Sequence, residues 1–246
     1  MNFDAKGHEV FISSMQDQIR TCQKRYIEIT TSFLTIPQQA ILEQMVPKTL
    51  FLSFFGGYEQ AERKVACLSM EPDAVRYPIV CLESKVDLRF RSITHRDILG
   101  ALMNLGLERE VLGDFVIQQD RVLIFCLESI KDYIINQCIR IANLPVSFYE
   151  IEECSSVEKQ TEEILVHAPS LRLDAVISSL AHVSRSDAQA LIKKGFVKLN
   201  DIPLETNKQL CNNDFVSIRK VGRFQFQGIR STTKKNRLIL QFDKYI

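Results

Sequence analysis

The sequence predicts an α+β protein with a helical N-terminal region, a mixed middle domain and a C-terminal module of two helices and a β-hairpin. Apolar residues recur at helical spacing near the N-terminus, strand-like and helical segments alternate through the middle, and two short helical segments precede strands in the last third. Of the 246 residues, 46% are hydrophobic and 25% charged, which is ordinary for a globular protein and argues against disorder. We place the boundaries at 1–75 for the N-terminal region, 76–155 for the middle domain, 156–170 for a linker with a short lead-in strand, and 171–246 for the C-terminal module.

The N-terminal region is predicted to begin with a helix over residues 4–33, because its apolar residues form one stripe. Pro37 suits the first turn of a second helix over residues 38–46. The stripe of the first helix consists of Phe11, Met15, Ile19, Cys22 and Tyr26.

Two strands are predicted next, one buried at residues 50–55 and one at residues 65–68. The link at residues 59–64 is charged, and we expect it to be exposed. Gly56 and Gly57 follow the first strand and favour a tight turn, although a glycine loop after a strand can also cradle a phosphate.

The order of elements in the middle domain predicts a ferredoxin-like sheet. Strand, helix, strand, strand, helix, strand is the split βαβ arrangement. RNA-recognition modules share this topology, but their aromatic sheet motif is absent from the sequence, so a scaffold role also fits. The segments are a strand at 77–82, a helix from Thr94 to its stop at Gly106, strands at 111–117 and 122–127, a helix at 130–141 and a strand at 146–151.

Local signals in the C-terminal module agree with one another. Leu173, Val176, Ile177 and Leu180 have helical spacing. A second helix begins at the cap Ser184, with Asp187 three residues on, and ends at Gly195. Strands are predicted at 196–199 and 215–218, at 220–226 and at 238–242, with turns at Asn200-Asp201 and Asn212-Asn213-Asp214 and a basic loop at 231–237.

Charge divides the chain unequally. Residues 171–246 hold 14 Lys+Arg and 6 Asp+Glu, a net charge of +8, whereas residues 1–170 hold 17 and 24, a net charge of −7. A basic third attached to an acidic body indicates a polyanionic partner. Hydroxyls and cations around the second helix suit the phosphates of a nucleic-acid backbone, although an ordinary capped surface helix has the same residues.

The C-terminal module resembles the RNA-binding domain of the ribosomal protein S-four type. The resemblance implies that the two helices and the first strand contact RNA. The motifs are Leu171-Arg172-Leu173-Asp174, Ser184-Arg185-Ser186-Asp187-Ala188, Leu191-Ile192-Lys193-Lys194-Gly195 and Val197-Lys198-Leu199-Asn200. The expected contacts are Arg172, Ser184, Arg185, Ser186, Gln189, Lys193, Lys194 and Lys198.

The strands beyond this module carry further basic residues. Arg223, Lys234, Lys235 and Arg237 are candidate phosphate contacts. Phe224 and Phe226 could stack on RNA bases beside them. A solvated hairpin tip is the alternative.

Motifs along most of the chain resemble the YlmH family. This resemblance implies a bacterial, cytoplasmic protein whose two-part body carries the RNA-binding domain, and we expect the protein to be a monomer. It also implies rRNA, tRNA and the large ribosomal subunit as partners, including subunits obstructed by peptidyl-tRNA in ribosome-associated quality control. The motifs are Phe54-Phe55-Gly56-Gly57-Tyr58-Glu59-Gln60-Ala61-Glu62-Arg63-Lys64, His95-Arg96-Asp97-Ile98-Leu99-Gly100-Ala101-Leu102, Gly113-Asp114, Gly222-Arg223-Phe224 and Thr233-Lys234-Lys235.

No catalytic, cofactor or metal site is expected. The sequence has no G-x-S-x-G, Walker or G-x-G-x-x-G motif. Pseudouridine synthases, methyltransferases and tyrosyl-tRNA synthetases carry the same RNA-binding domain, but their own motifs are absent. The alternative is an RNA-modifying enzyme, pseudouridine synthase-like or methyltransferase-like, with an active site around His95, Arg96, Asp97 and Asp114.

Cysteine use and hydropathy agree with a cytoplasmic location. The seven cysteines form no C-x-x-C pair and mostly lie among apolar residues, so we interpret them as reduced core thiols and not as zinc ligands. No apolar run approaches the roughly 20 residues of a membrane span. The first residues show no secretory signal pattern.

Overall fold

The computed structural model of the protein describes residues 8–72, 75–87, 93–118, 120–152, 161–200, 202–204, 206–212 and 214–245. The chain divides into two compact units, Met1–Glu158 and Lys159–Ile246. No helix among the described residues is long and apolar enough to cross a membrane.

The first unit begins with two helices packed on a small antiparallel sheet. Helix α1 buries Met15, Ile19 and Cys22, which confirms three positions of the predicted stripe. Pro37 lies in the first turn of α2, as predicted. The elements are α1 (Glu9–Arg25), β1 (Ile29–Leu34), α2 (Ile36–Met45), β2 (Phe51–Phe55) and β3 (Lys64–Ser69), and the sheet order is β1-β3-β2.

Two predictions for this region are wrong. The first helix does not continue to residue 33, because Tyr26 takes a left-handed conformation with φ 54° and the β-branched run that follows forms β1. Strand β2 is not buried, because it lies at the edge of its sheet. Phe51 is 51% exposed and Phe55 41% exposed.

The second part of the first unit has the predicted ferredoxin-like topology. Its four-stranded antiparallel sheet has the order β5-β6-β4-β9, which is that of a split βαβ unit. The helix predicted at 130–141 ends at Gln137, because residues 140–145 form a small hairpin with left-handed Ala142 and Asn143 at its turn. The elements are β4 (Ile79–Lys85), α3 (His95–Asn104), β5 (Leu112–Gln118), β6 (Arg121–Leu127), α4 (Lys131–Gln137), β7 (Arg140–Ile141), β8 (Leu144–Pro145) and β9 (Tyr149–Ile151).

The two faces of this sheet are covered differently. One face packs Leu82 and Ile124 against Ile98 and Leu102 of α3. On the other face, the ring of Tyr58 stacks on Phe125 with the ring centroids 4.8 Å apart. A segment from the N-terminal region therefore covers part of the face on which RNA-recognition modules stack bases.

The second unit packs two helices on one face of a six-stranded sheet. The core between them includes Val176, Ile177, Ile192, Phe226 and Phe242. The elements are β10 (Thr161–Ala168), α5 (Leu173–Leu180), α6 (Arg185–Lys193), β11 (Val197–Leu199), β12 (Ile202–Pro203), β13 (Phe215–Ile218), β14 (Gly222–Thr232) and β15 (Leu238–Tyr245), in the sheet order β10-β15-β14-β13-β11-β12.

Strand β10 lies within the segment assigned to a linker. It pairs with β15 along its whole length, from Thr161 opposite Tyr245 to Ala168 opposite Leu238. Residues 161–168 are therefore an edge strand of the second unit, because their inward side chains Val166 and Ala168 are buried in its core. Residues 156–160 of the linker, Asp201 and Asn213 of the predicted turns, and Cys154 lie outside the described residues.

Among the described cysteines, Cys22, Cys67, Cys81, Cys126 and Cys138 are buried and Cys211 is exposed. Burial raises the pKa of the Cys126 thiol to about 12. Burial also raises the pKa of the Cys22, Cys67 and Cys138 thiols, and a raised pKa disfavours the reactive thiolate in these four residues.

Candidate nucleic-acid interface

A buried carboxylate organises the start of both helices of the second unit. Asp174 lies in the first turn of α5 with its side chain 0% exposed. Arg172 donates to Oδ1 at 3.3 Å and to Oδ2 at 3.2 Å, and from α6 Arg185 and Gln189 donate to Oδ2 at 3.0 and 3.1 Å. We call these four residues the Asp174 cluster. It ties α5 to α6, because its donors come from both helices.

The Asp174 cluster leaves positive charge at the surface. Burial acts to raise the pKa of Asp174, but hydrogen bonds from Arg172, Gln189, Asn207 and Arg185 outweigh burial and hold the pKa well below its ordinary value. The Arg172 and Arg185 side chains remain 55% and 52% exposed. Two guanidinium groups and one carboxylate give a net charge of about +1, with the guanidinium groups fixed in position.

Arg172, Arg185 and Gln189 were predicted as RNA contacts, and the structure gives all three an internal bond that the sequence did not reveal. Each holds Asp174. An RNA contact by these residues therefore uses donors that the carboxylate has already oriented.

The pH dependence of stability follows from the lowered pKa of Asp174. A carboxyl with a lower pKa in the folded than in the unfolded protein stabilises the fold above its unfolded pKa, near 4, and the stabilisation is lost as pH falls through the folded pKa. We expect Asp174→Asn to lower the free energy of unfolding by a constant amount from pH 7 to about 5, with the difference from the wild type shrinking below about 4. Hydrogen exchange of the α5 and α6 amides across this range measures the effect. A difference that grows on acidification would contradict it.

The N-terminus of α6 is capped as the sequence predicts. The Ser184 hydroxyl accepts from the Asp187 backbone N–H at 3.1 Å and donates to the Asp187 carboxylate at 2.6 Å. The hydroxyls of Ser184 and Ser186 lie 2.7 Å apart. Because Asp187 already supplies a negative charge at the positive end of the helix, a phosphate there would be partly repelled. The cap engages the hydroxyls of Ser184 and Ser186 within the protein, and an RNA contact by either serine would be additional to it.

The exposed face of α6 carries a row of polar side chains. Arg185, Gln189 and Lys193 are spaced four residues apart and therefore lie on one face, which flanks the stripe of the buried Ala188 and Ile192. Lys193 and Lys194 are exposed, and neither forms an ion pair with any residue that the structure describes.

Arg219 is a basic residue beside the end of α6 that the sequence patterns did not indicate as a contact. The guanidinium of Arg219 lies 4.7 Å from the ring centroid of Phe196, and the Arg219 backbone N–H donates to the Phe196 carbonyl at 2.9 Å. This contact places the β13–β14 turn beside Phe196, which follows Lys194 by two residues. We call Lys193, Lys194, Arg219 and Lys220 the α6 basic end. An aromatic residue directly after the helix-ending glycine was the available signal.

Lys198 and Arg223 lie elsewhere. Lys198 is opposite Ser217 in β13, which is opposite Arg223 in β14, so all three side chains project from one face of the sheet. Their strand neighbours Val197 and Phe224 are buried beneath the helices on the other face. The predicted contacts are therefore divided between the helical side and the outer sheet face.

The predicted base-stacking role of Phe224 and Phe226 is wrong. Phe224 is 2% exposed and Phe226 0% exposed, because alternation along β14 directs both into the core. Lys234, Lys235 and Arg237 are exposed on the turn between β14 and β15.

Three of the four groups considered for the alternative active site, His95, Asp97 and Asp114, have structural partners. His95 Nε2 lies 3.0 Å from the Phe115 carbonyl oxygen. The Asp97 carboxylate accepts from the Thr94 backbone at 2.9 Å and from its hydroxyl at 2.6 Å, which confirms its place in a helix cap. Arg96 is exposed on α3. Within the described parts of the chain, no group of three or more His, Cys, Asp or Glu residues could hold a metal ion.

Asp114 organises the segment around Gly56 and Gly57. Its carboxylate accepts from the Tyr58 hydroxyl at 2.8 Å and from the Glu62 and Arg63 backbone N–H groups at 2.8 and 3.2 Å. The segment at residues 59–64 is therefore anchored. Glu59 and Gln60 are exposed as predicted, but Ala61 is buried and residues 62–64 are half-buried. A Cβ on Gly56 would lie 2.3 Å from that of Ala61, so the glycine serves close packing in a turn.

Comparison with known proteins agrees with this architecture. Residues 72–155 match the family described as "Putative RNA-binding domain in YlmH", and residues 171–216 match the S4 domain. The fold and these matches define an α+β RNA-binding protein with a C-terminal S4 domain, which is the RNA-binding domain of the ribosomal protein S-four type. These families are RNA-binding and not enzymatic.

The chain belongs to the YlmH family. It is 31% identical over 248 residues to the ribosome-associated protein quality control protein P2 of Bacillus subtilis (strain 168), and the match covers 97% of this chain and 96% of the relative. The solved structure of the cell division protein ylmH from Streptococcus pneumoniae superposes with a TM-score of 0.53 at 22% identity, covering 64% of this chain and 99% of that one. At that identity the superposition supports the fold alone.

Proposed function

We propose that this chain is a cytoplasmic, non-enzymatic protein that binds rRNA and tRNA on the large ribosomal subunit. Its role would lie in quality control of subunits obstructed by peptidyl-tRNA. The observation that carries the proposal is the α6 surface, where a row of exposed polar side chains ends in the α6 basic end. Lysines without ion-pair partners among the described residues are free to neutralise phosphates.

The S4 match and the relative's name support this proposal from two directions. An S4 domain supplies the RNA-binding module, and the Bacillus subtilis relative is called a ribosome-associated quality control protein. We propose Lys193, Lys194 and Arg219 as the principal contacts. The remaining proposed contacts are Arg172, Ser184, Arg185, Ser186, Gln189, Lys198, Arg223, Lys234, Lys235 and Arg237.

A non-enzymatic role agrees with the contacts in the first unit. An RNA-modifying enzyme needs an acid, base or nucleophile that faces a substrate. His95, Asp97 and Asp114 instead bond to the protein's own backbone and to Thr94 and Tyr58. Incubation with rRNA and tRNA should therefore leave their nucleosides unchanged by mass spectrometry.

We expect the protein to co-sediment with large ribosomal subunits, and more strongly when the subunits carry peptidyl-tRNA. The α6 surface would then contact RNA that only the obstructed subunit presents in full. Sucrose-gradient sedimentation of tagged protein with large subunits, small subunits and peptidyl-tRNA-bearing large subunits measures this. Equal recovery with small subunits would contradict the proposal, and equal recovery with both kinds of large subunit would contradict the peptidyl-tRNA part of it.

A further inference from the structure

The positive charge of the second unit lies mainly beyond the residues that match the S4 domain. Residues 171–216 contain 6 Lys+Arg and 5 Asp+Glu, a net charge of +1. Residues 217–246 contain 8 Lys+Arg and 1 Asp+Glu, a net charge of +7. The strands after the S4 match therefore dominate the long-range attraction of this unit for a polyanion.

The turn between β14 and β15 lies at the end of a three-stranded platform, which consists of β10, β15 and β14. Strand β14 pairs with β13 only as far as Gln225, and beyond Phe226 it continues against β15 to Thr232, opposite Leu238. Strand β15 pairs with β10 on its other side. The turn at residues 233–237, which we call the hairpin tip, lies at the end of this platform.

The hairpin tip has an ordered backbone. The Thr233 N–H donates to the Arg237 carbonyl at 2.8 Å, and the Asn236 N–H donates to the Thr233 carbonyl at 2.9 Å. The Thr233 hydroxyl accepts from the Arg237 N–H at 3.0 Å. Asn236 has φ 56°, the left-handed conformation that closes such a turn. A backbone fixed in this way presents its side chains at low entropic cost.

The three cations of the hairpin tip are available to a ligand. Lys234, Lys235 and Arg237 are exposed, and none of them forms an ion pair with a residue that the structure describes. Arg230, farther down β14, differs because it donates to Glu163 at 2.7 Å. The tip thus concentrates three cations without a neighbouring described carboxylate partner.

The hairpin tip lies at the same end of the second unit as the Asp174 cluster. Leu238, the residue after the tip, is paired with Ala168. Arg172 follows Ala168 by four residues, which span at most about 14 Å even when extended. A ligand of modest size can therefore touch both the tip and the start of α6. A longer RNA helix is needed to reach the α6 basic end as well, because the β13–β14 turn lies at the opposite end of β14, about 35 Å away along the strand.

We propose that the hairpin tip is a second RNA-backbone site that grips phosphates of the same RNA helix that the α6 surface holds. This inference rests on the proposed function and adds the ligand's form, helical RNA. Binding of single strands depends on stacking bases on aromatic side chains. Among the described residues of the second unit, the exposed large hydrophobic side chains are Leu165, Val221 and Ile229, none of them aromatic.

The test compares Lys234→Ala/Lys235→Ala/Arg237→Ala with the wild type. The full-length protein is titrated by anisotropy with a synthetic RNA hairpin, and with one strand of its stem alone, at several salt concentrations. Loss of three phosphate contacts should lower the slope of log K against log salt by about 2–3 for the hairpin. Lys24→Ala/Arg25→Ala/Lys48→Ala removes three exposed cations from the first unit and should leave the slope unchanged.

The outcomes separate this inference from the proposed function. An unchanged slope in the tip variant, with binding still weakened by substitutions at the α6 basic end, would overturn the tip site and leave the function standing. Failure of both sets of substitutions to weaken binding would overturn the proposed function as well. Wild-type binding to the single strand as tight as to the hairpin would overturn the assignment to helical RNA.

Discussion

Replacing Arg172 and Arg185 together by alanine is expected to lower the free energy of unfolding of the second unit by about 1–3 kcal/mol at pH 7. Asp174 is fully buried, and without the two guanidinium groups its carboxylate keeps the neutral side chains of Gln189 and Asn207 as hydrogen-bond partners. A buried charge stripped of its ionic partners is costly, far more so than the loss of an exposed ion pair. Hydrogen exchange of the α5 and α6 amides by mass spectrometry measures the change within this unit.

A charge-removing substitution provides the control for this prediction. In the Arg172→Ala/Arg185→Ala background, Asp174→Asn should recover part of the lost stability, because it removes the unpaired charge. In the wild-type background the same change should destabilise, because it disrupts a satisfied cluster. If the α5 and α6 amides of Arg172→Ala/Arg185→Ala exchange hydrogen as slowly as those of the wild type, the Asp174 cluster does not stabilise the unit. The cluster also means that Arg185→Ala alone is a poor test of RNA contact, since it alters folding and binding together.

Replacing Lys193, Lys194 and Arg219 by alanine is expected to weaken binding to large ribosomal subunits at least tenfold near 0.1 M salt, because each lost phosphate contact forfeits released counterions. None of these side chains holds a described carboxylate, and Lys193 and Lys194 are exposed, so the fold should persist. Anisotropy of labelled protein titrated with purified large subunits measures the loss. The matched variant Lys24→Ala/Arg25→Ala/Lys48→Ala should bind like the wild type.

A charge-preserving variant sharpens this prediction. Lys193→Arg/Lys194→Arg keeps both cations, so its affinity should stay near that of the wild type. Wild-type affinity in the alanine variant would remove Lys193, Lys194 and Arg219 from the interface. A large loss in the arginine variant would indicate that the lysines act through shape and not through charge.

Local patterns predicted the elements that depend on neighbouring residues. Ser184 and Asp187 cap α6 as expected, because a cap is complete within one helical turn. The ferredoxin-like order followed from the succession of helix and strand periods. The end of α1 was missed, because Tyr26 gives no sign in the sequence that it adopts a left-handed conformation.

The sequence did not reveal which side chains contact each other across different helices and strands. Asp174 meets Arg185 and Gln189 from the next helix, and periodicity indicates a face of each helix but not which polar groups meet across two helices. Alternation along β14 predicts that Arg223 and Phe224 lie on opposite faces of the sheet. It does not show which of these faces the helices cover. We therefore predicted a stacking role for Phe224, which is a core residue. Arg219 was overlooked because its partner Phe196 lies before β11, far from it in the sequence.

The salt dependence of binding to large ribosomal subunits tests the central claim, that the α6 basic end holds an RNA backbone, most directly. The slope of log K against log salt should be smaller in magnitude by about 2–3 for Lys193→Ala/Lys194→Ala/Arg219→Ala than for the wild type, as expected for three lost phosphate contacts. It should be unaltered for Lys24→Ala/Arg25→Ala/Lys48→Ala. Equal slopes for the wild type and the α6 variant would contradict the claim.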